Sequence, residues 1–346
     1  YSFGTSFGAT VSADEISPLG NPNITWEKLK RLDVGTDFTF LKRALSFSVD
    51  YFNDKRSDIL TAAITPSILG ATVGNVNAGV VESKGYETSL NFNKDLGRFG
   101  IGLNANYTYA KNNVSFVNET QGLSDYQSSI GHNTGNVAGI NTKLFYISQG
   151  IFQSQAEINA APQQLLAGTV VPGDIRYKDV NGDGFITTED RTIIGNPTPD
   201  FTYGGSLSLA YKGFDFSTDV MGVYGNEIFR NWSRGTFAQF NYPSYRKDRW
   251  TGVGTSNWEP ILSTSRSNNY LISSYYIEDG SFFRIRNLQV GYNFGQNALQ
   301  NIHVKSLRVY VNAQNLKTFK NSTGYTPEFG GSATNFGVDN GSYPLP

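Results

Sequence analysis

The sequence predicts an all-β fold, a transmembrane antiparallel β-barrel of which this chain supplies part of the wall. Three observations lead to this prediction. Several segments alternate strictly between apolar residues and small or polar ones. These segments are about ten residues long, the length of a tilted strand that crosses a membrane. The connections between them alternate between short turns and long loops, as in outer-membrane barrels.

About nine candidate strands follow one another along the chain, each with its apolar side chains on one face. The first carries Tyr1, Phe3, Phe7, Ala9 and Val11. The apolar faces of the others are, in order, Val34, Thr36, Phe38 and Phe40; Leu45, Phe47, Val49 and Tyr51; Tyr86, Thr88, Leu90 and Phe92; Phe99, Ile101, Leu103, Ala105, Tyr107 and Tyr109; Phe201, Tyr203, Leu207, Leu209 and Tyr211; Phe214, Phe216, Thr218 and Val220; Leu288, Val290, Tyr292 and Phe294; Leu307, Val309, Val311 and Ala313.

The opposite faces of these strands carry acids that would be unfavourable in a dry protein core but suit a water-filled lumen. They are Asp33, Asp37, Asp50, Asp215 and Asp219. A soluble β-sandwich is the alternative, since its strands alternate too. Its strands are usually only about five or six residues long, and nothing in a sandwich sorts loops by length. The acids and the strand lengths therefore favour the barrel.

The connections fall into two groups by length. Short turns are predicted at 42–44, 95–98, 212–213 and 295–302, and long loops at 13–25, 61–79, 113–200, 230–275 and 318–346. Outer-membrane barrels have short periplasmic turns and longer extracellular loops. We therefore expect every long loop, including 113–200, to be extracellular.

Composition excludes several classes of function. The chain of 346 residues has a net charge of −1, so it offers no basic field for nucleic acid. It contains no cysteine, which rules out disulfides and thiolate metal sites within it. The only two histidines, His132 and His303, lack metal-ligand spacing and give no basis for a catalytic triad. We expect no enzymatic activity.

A calcium-type loop spans residues 179–190. Asp179, Asn181, Asp183 and Asp190 occupy its first, third, fifth and twelfth places, with Gly184 at the sixth, where the backbone turns sharply. Alternating oxygens of this kind converge on a hard cation that takes about six to eight oxygen ligands. Two further ligands are predicted, the carbonyl oxygen of Phe185 and the side chain of Thr187.

The twelfth place of this loop departs from the calcium-loop pattern. In that pattern it usually holds a glutamate that binds the ion with both carboxylate oxygens. Asp190 is shorter, so a water or a distant residue would complete the site. The alternative is a solvated Asn-Gly-Asp-Gly turn whose acids face water. We expect a structural Ca²⁺ ion.

The long loops are rich in aromatic residues beside polar ones, a combination that stacks on sugars or holds a protein partner. The candidates for substrate or partner contact are Trp232, Tyr245, Trp250, Trp258, Tyr270 and Tyr276. Tyrosine and tryptophan also pack long loops onto themselves and form interfacial girdles. Either role is compatible with the sequence.

Several sequence blocks resemble the SusC/RagA group of TonB-dependent transporters, in the same order along nearly the whole chain. They are Asn-Pro-Asn-Ile-Thr-Trp-Glu-Lys at 21–28, Gly-Ile-Phe-Gln at 150–153, Gly-Asp-Ile-Arg-Tyr-Lys-Asp at 173–179, Ile-Gly-Asn-Pro-Thr-Pro-Asp-Phe-Thr-Tyr-Gly at 194–204, Tyr-Ile-Glu-Asp-Gly-Ser-Phe-Phe-Arg-Ile-Arg-Asn-Leu at 276–288 and Ser-Leu-Arg-Val-Tyr-Val-Asn-Ala-Gln-Asn-Leu at 306–316. The resemblance implies an outer-membrane importer in a Gram-negative, Bacteroidetes-like bacterium.

The resemblance further implies a 22-stranded barrel that surrounds a plug. Energy would come through TonB, and a SusD-like surface lipoprotein would help to capture oligosaccharides or peptides. Nothing in the sequence resembles the plug or the TonB-contacting segment. Members of the family have one more strand after the position that corresponds to residues 341–346. We therefore expect residues 1–346 to be the carboxy-terminal portion of a longer barrel that is incomplete in this chain.

A second class of function is compatible with the calcium-type loop and the strand pattern. This would be a secreted or surface calcium-binding β-module, such as an adhesin or a carbohydrate-binding domain. Retention in the outer membrane separates the two, because a barrel is embedded in lipid and a module is not.

Overall fold

A computed structural model of the chain describes residues 2–4, 10–12, 19–66, 68, 73–133, 144–166, 168–233, 242–262, 267–295, 299, 304–328 and 337–341. Within this part of the chain, eight long strands form one antiparallel sheet in which each strand lies beside its neighbour in sequence. They are β1 (Lys28–Phe40), β2 (Leu45–Thr61), β3 (Val76–Leu96), β4 (Phe99–Val117), β5 (Phe201–Tyr211), β6 (Phe214–Tyr224), β7 (Phe282–Asn293) and β8 (Arg308–Lys320). This up-and-down sheet confirms the predicted fold class.

The register of the sheet aligns polar residues on one face. One row of directly paired positions crosses all eight strands and contains only polar side chains. The row consists of Thr39, Ser46, Asn91, Asn104, Ser206, Asp219, Asn287 and Gln314. Because side chains alternate between the two faces of a strand, this register places the apolar positions together on the opposite face. The sheet thus has one polar face and one apolar face.

The apolar face has aromatic residues at both ends of three neighbouring strands. The pairs are Phe99 and Tyr109 on β4, Phe201 and Tyr211 on β5, and Phe214 and Tyr224 on β6. Ten residue steps at about 3.3 Å correspond to about 33 Å along a strand, and a tilt of about 45° reduces this to about 23 Å in height. Membrane barrels carry an apolar band of about 25 Å between two aromatic girdles.

Three strands are much longer than the predicted ten residues, because β2 to β4 contain 17, 21 and 19 residues, whereas the other five contain 11 to 13. On β2 to β4 the additional residues continue past the aromatic row of Tyr51, Tyr86 and Tyr109 toward the long loops. There, charged residues such as Lys55, Lys84 and Lys111 lie on the face that is apolar lower on the strands, so the alternation that marks a membrane strand ends. The backbone ladder continues because its hydrogen bonds need no apolar side chains.

Three of the predicted short turns are confirmed, since two to four residues separate β1 from β2, β3 from β4 and β5 from β6. Lys212 and Gly213 both have positive φ, +48° and +92°, as a two-residue hairpin turn of type I′ requires. The turn predicted at 295–302 is longer, because β7 ends at Asn293 and β8 begins at Arg308.

The amino-terminal segment differs from the prediction of a ninth wall strand. The described residues form two short strands that pair with each other, Ser2–Gly4 and Thr10–Ser12. The apolar alternation is weakest here, because it skips Thr5 and is interrupted by two glycines, which weaken strands. Tyr1, Phe7 and Ala9 lie outside the described residues.

The connections contain only short elements. Among the described residues these are the strands Leu144–Phe145, Ser148–Ile151, Gln163–Gln164, Ile175–Tyr177, Phe185–Ile186, Thr192–Ile193, Glu227–Arg230, Ile277–Asp279 and Val338–Asp339, the helix Gln155–Ala160, and the 3₁₀ turns Leu41–Arg43, Asp125–Gln127, Thr188–Asp190, Asn231–Ser233, Ser244–Asp248, Ser267–Tyr270 and Ser274–Tyr276. No helix in the described ranges is long and apolar enough to cross a membrane.

Candidate functional site

Three long connections pack together beyond one end of the sheet, and we call this body the loop assembly. It consists of the described residues of 118–200, 225–281 and 321–341, so the first connection begins at 118 and not at 113, because β4 extends to Val117. Its buried core contains Phe145, Tyr146, Ile175, Tyr177, Ile186, Phe229, Tyr275, Tyr276 and Val338. All three connections contribute to this core. The loops therefore hold one another in place.

A small sheet ties two of these connections together. Its central strand, Glu227–Arg230, pairs antiparallel with Ile277–Asp279 and parallel with Val338–Asp339. The Trp232 indole nitrogen donates to Asp339 Oδ2 at 2.9 Å beside this sheet. Trp232 therefore contributes to the closure of the loop assembly.

The block at 173–179 begins with a glycine that the structure requires. Gly173 has a φ of +96°, which favours glycine, and its amide donates to the Phe152 carbonyl at 2.7 Å. A Cβ atom there would lie 2.5 Å from the Trp250 ring. The Trp250 indole nitrogen donates to Gln153 Oε1 at 3.1 Å. Trp250 is thus packed against the neighbouring connection.

The next residues of this block link the same two connections through buried polar groups. Asp174 is fully buried, and its Oδ1 accepts a hydrogen bond from Asn269 Nδ2 at 2.9 Å. Asn269 Oδ1 in turn accepts from the Ile175 amide at 2.9 Å. The Tyr177 hydroxyl donates to the Asn268 carbonyl at 2.6 Å. Buried polar groups of this kind are favourable only when they are paired.

A buried ion pair lies next to this core. Arg246 Nη1 is 2.6 Å from Glu259 Oε1, and both residues are buried. The Tyr275 hydroxyl donates to Glu259 Oε2 at 2.5 Å. Burial raises the pKa of the Glu259 carboxyl, and the Arg246 guanidinium opposes that rise. Burial also raises the pKa of Tyr275, which keeps its hydroxyl protonated as a donor.

A second arginine lies among three tyrosine rings. The Arg230 guanidinium carbon is 4.7 Å from the Tyr245 ring centre and 5.7 Å from that of Tyr276. Its Nη1 pairs with Glu278 Oε1 at 2.9 Å. Buried cation–π contacts of this kind contribute about 2 kcal/mol when desolvated. The Tyr245 ring therefore packs against a buried arginine.

The six aromatic candidates consequently differ in their surroundings. Tyr276 is fully buried and donates to the Asn269 carbonyl at 2.8 Å, which places it in the core. Trp232, Tyr245, Trp250 and Tyr270 are partly buried. Trp258 is 52 % exposed and packs against Tyr275 with ring centres 5.6 Å apart. Of the six, Trp258 presents the largest accessible aromatic surface.

The calcium-type loop is organised by hydrogen bonds to its own backbone. Asp179 accepts from the Gly182 amide at 2.7 Å and from the Gly184 amide at 2.9 Å. Asp183 accepts from the Phe185 amide at 2.8 Å. The Asn181 side-chain oxygen accepts from the Asp183 amide at 3.1 Å. The acceptors at the first, third and fifth places thus converge on one turn.

Asp190 closes this loop at the twelfth place. Its Oδ1 accepts from the Val180 amide at 2.8 Å and its Oδ2 from the Thr187 amide at 2.7 Å. The carboxylate is fully buried. It forms a capping box with Thr187 at the turn Thr188–Asp190, so this aspartate clips the two ends of the loop together.

The donor set of this loop is compatible with a hard cation, because carboxylate and amide oxygens are the ligands that Ca²⁺ takes. The described residues show no group of three or more histidine, cysteine, aspartate or glutamate side chains arranged around a common metal position. Each carboxylate oxygen has a further lone pair beyond the one that accepts an amide. Calcium binding here stays a prediction.

The polar face of the wall carries ion pairs that span neighbouring strands. Arg31 pairs with Asp54 at 2.6 Å, and Arg308 pairs with Asp215 at 2.5 Å. Asp33 and Asp50 line a pocket together with Arg31 and Glu87. The five predicted lumen acids therefore lie on a face rich in hydrogen-bonding groups, which suits contact with water and polar solutes.

Sequence reasoning missed the residues that hold the loop assembly together, among them Asp174, Arg230, Arg246, Glu259 and Asn269. Their partners are distant in the chain, as with Asp174 and Asn269. A polar residue in a loop carries no local pattern that reveals burial. The one available signal is that Asp174 belongs to the block at 173–179 that resembles known transporters.

The sequence of the chain is similar to those of known TonB-dependent receptors. The family model described as "TonB dependent receptor-like, beta-barrel" matches residues 1–316. TonB-dependent receptor P3 of Formosa agariphila is 30 % identical over 96 % of the chain, and TonB-dependent receptor P26 of the same organism is 29 % identical over 94 %. TonB-dependent receptor SusC of Bacteroides thetaiotaomicron is 26 % identical over 98 % of the chain.

The chain spans about a third of the length of these curated relatives, 34 % of P3 and 33 % of SusC. Among solved structures, the RagAB peptide transporter matches with a TM-score of 0.70 at 21 % identity. That match covers 99 % of this chain and 37 % of the transporter chain. At this identity the likeness concerns the fold alone.

Proposed function

Because the chain belongs to the TonB-dependent receptor-like β-barrel family, we propose that it forms part of the wall and the outer mouth of an outer-membrane importer. The bacterium would be Gram-negative and Bacteroidetes-like. The strands line the transport path with their polar face and meet lipid with their apolar face. The loop assembly lies at the extracellular mouth. Residues 1–346 would be the carboxy-terminal portion of this barrel.

One observation carries this proposal. The paired row from Thr39 to Gln314 is polar on all eight strands, whereas the opposite face of β5 from Phe201 to Tyr211 contains no charged residue. A soluble sheet would bury that apolar face against a second layer. Here β5 and β6 expose Tyr211, Phe214 and Tyr224. Lipid is the environment that such a face requires.

The proposed cargo is an oligosaccharide or a peptide. The peptide alternative is supported by the fold likeness to the RagAB peptide transporter. The oligosaccharide alternative is supported by the hydroxyl and amide groups of the polar face, such as Ser206, Asn104 and Gln289. Both cargoes are polar chains that such groups can contact.

The proposed partners are TonB, which would supply energy, and a SusD-like surface lipoprotein, which would dock at the mouth. The loop assembly offers exposed apolar residues for such a docking surface, namely Leu165, Phe185, Val253 and Trp258. Its shared core supports this role, because a rigid surface binds a partner with a smaller entropy loss. We propose no enzymatic activity for the chain.

We also propose that the loop at 179–190 binds a structural Ca²⁺ ion through Asp179, Asn181, Asp183 and the Phe185 carbonyl. The convergence of these acceptors on one turn supports this. Thr187 and Asp190 would act mainly by closing the loop. The ion would add rigidity to the first connection of the loop assembly.

The alternative, a secreted calcium-binding β-module, is less well supported. A water-soluble module would rarely expose an uncharged face that is bounded by aromatic residues at both ends of three strands. Its strands would also be shorter. The family membership of the chain points the same way.

The test of import is a deletion strain. We expect loss of growth on one class of polymeric nutrient, either oligosaccharides or peptides, with restoration by the intact gene. The protein should remain in the outer membrane after a carbonate wash and migrate differently on gels before and after boiling. Release by the wash would contradict the membrane assignment, and unchanged growth and uptake on both nutrient classes would contradict import.

A further inference from the structure

Four lysines form a row on the apolar side of the wall, just beyond its aromatic boundary. They are Lys30 on β1, Lys55 on β2, Lys84 on β3 and Lys111 on β4, and all four are exposed. They lie on the same face as Tyr51, Tyr86 and Tyr109, because even steps along each strand separate them from that row. We call this set the lysine row.

The register places these lysines in two directly opposed pairs. Lys30 is the cross-strand partner of Lys55, and Lys84 is the partner of Lys111. Like charges directly opposite each other destabilise a sheet. Lys55 and Lys111 gain ion pairs in the fold, but Lys30 and Lys84 gain only this repulsion. An anion that bridges the pairs would turn the repulsion into attraction.

The acids nearby neutralise only two of the four lysines. Lys55 pairs with Glu82 at 2.8 Å, and Lys111 pairs with Asp200 at 3.4 Å. In the part of the chain that the structure describes, no carboxylate lies within salt-bridge distance of Lys30 or Lys84. Two positive charges consequently remain in excess on this surface.

The height of the lysine row matches the headgroup layer of a bilayer. Lys84 and Lys111 lie two residues beyond Tyr86 and Tyr109, whereas Lys55 lies four residues beyond Tyr51 and Lys30 is directly opposite Lys55. At about 3.3 Å per residue and a tilt of about 45°, the two pairs lie about 5 Å and about 9 Å above the tyrosines. Aromatic girdles lie at the level of the headgroups, and long lysine side chains extend from there toward polar groups.

We propose that the lysine row binds the phosphate groups of outer-leaflet lipid headgroups. In each opposed pair the lysine without a carboxylate partner, Lys30 or Lys84, binds the phosphate. The strand spacing of about 4.8 Å lets the second lysine, Lys55 or Lys111, which also pairs with an acid, reach the same phosphate. The tyrosines below contact the lipid at the level where its chains begin. This goes beyond the proposed import function and relies on it only for the outer-leaflet orientation.

Lipid A tests this proposal with the natural full-length protein, purified from outer membranes and held in zwitterionic detergent. Native mass spectrometry measures retained lipid A for the parent, for the fourfold Lys→Gln variant at 30, 55, 84 and 111, and for the matched fourfold Lys→Arg variant. Each lysine near an anionic surface is worth about fivefold in affinity. We expect the glutamine variant to lose nearly all specific binding and the arginine variant to keep it.

Two results would overturn the proposal. One is unchanged lipid A retention in the glutamine variant while its boiled and unboiled forms still migrate differently, which shows an intact barrel. The other is equally strong, lysine-dependent binding of inorganic phosphate, which would make the site a phosphate site and not a lipid site. Absence of that gel shift in the parent protein would instead contradict the barrel assignment itself.

Discussion

Phe201 and Tyr211 lie on the same face of β5, ten residues apart, at the two ends of an uncharged surface. Tyr203, Leu207 and Leu209 lie between them on that face, whereas Thr202, Ser206 and Ser208 occupy the other. One strand thus contains the complete cross-section of a membrane wall, with an aromatic boundary at each edge. β4 and β6 repeat the arrangement on either side.

A charge at the middle of this apolar face should destabilise the barrel. Leu207→Arg places a guanidinium near the bilayer midplane, which costs about 2–4 kcal/mol. The matched control is Ser206→Arg, whose side chain points to the polar face beside Asn104 and Asp219. Urea unfolding of the protein in vesicles should show a lower free energy of unfolding for Leu207→Arg and no such decrease for Ser206→Arg. Equal losses would contradict the assignment of the two faces.

Loss of the buried arginine should loosen the loop assembly and leave the wall intact. Arg246→Met leaves Glu259 buried without its cation, which costs about 3–5 kcal/mol. Lys247→Met, at the exposed neighbouring position, is the control. Hydrogen exchange should quicken in 244–276 for the first variant only. Unchanged exchange would show that the ion pair does not stabilise the loops.

The effect of Arg246→Met should depend on pH. Burial raises the pKa of Glu259, and removal of Arg246 removes the charge that opposes this rise. A carboxyl whose pKa is raised in the folded state favours folding below its ordinary pKa of about 4.3, and this contribution is lost as pH rises through the raised value. Exchange in the variant should therefore approach that of the parent at acidic pH. A defect that grows on acidification would contradict this.

Gly173→Ala should detach the first connection from Trp250. The new Cβ would lie 2.5 Å from the indole ring, and the positive φ adds strain. Gly168→Ala is a matched control, because its φ of +88° imposes similar strain while nothing lies within 4 Å of its Cβ. The strain of an alanine at this positive φ costs about 1–2 kcal/mol by itself. Faster amide exchange at 150–175 is expected for Gly173→Ala, and similar exchange in both variants would exclude the ring contact as the cause.

Two substitutions should distinguish the residues that bind calcium from the residue that closes the loop. Asp183→Ala removes a proposed ligand, so calorimetry should show weakened calcium binding. Asp190→Ala removes the acceptor of the Val180 and Thr187 amides, so it should loosen 179–190 with or without calcium. Chelation should loosen this loop in the parent and leave the wall unchanged. An identical calcium isotherm for Asp183→Ala would dismiss the site.

The wall could be predicted from the sequence because its rule is local. Alternation from Phe201 to Tyr211 and the turn at Lys212 and Gly213 need no knowledge of distant residues. The extension of β3 back to Val76 could not be predicted in this way, because residues such as Lys84 and Glu82 show no apolar alternation. Pairing there follows from the ladder already established lower on the strand.

The loop assembly could be predicted only in part. The block at 173–179 marked an important region, but the partner of Asp174, Asn269, lies 95 residues away in the chain, and that of Gly173, Trp250, is also distant. Tyr276 was a candidate for contact with a substrate or partner, and its burial reflects packing against elements that no local pattern identifies. Long-range contacts of this kind depend on the fold as a whole.

Single-cysteine labelling along β5 tests the membrane wall most directly, because this chain contains no cysteine. A fluorophore is attached in turn at 206, 207, 208 and 209 in the protein reconstituted in vesicles with lipid-borne quenchers. We predict strong quenching at 207 and 209, and weak quenching at 206 and 208, which face the lumen. Quenching without this alternation, or none at any position, would contradict the account.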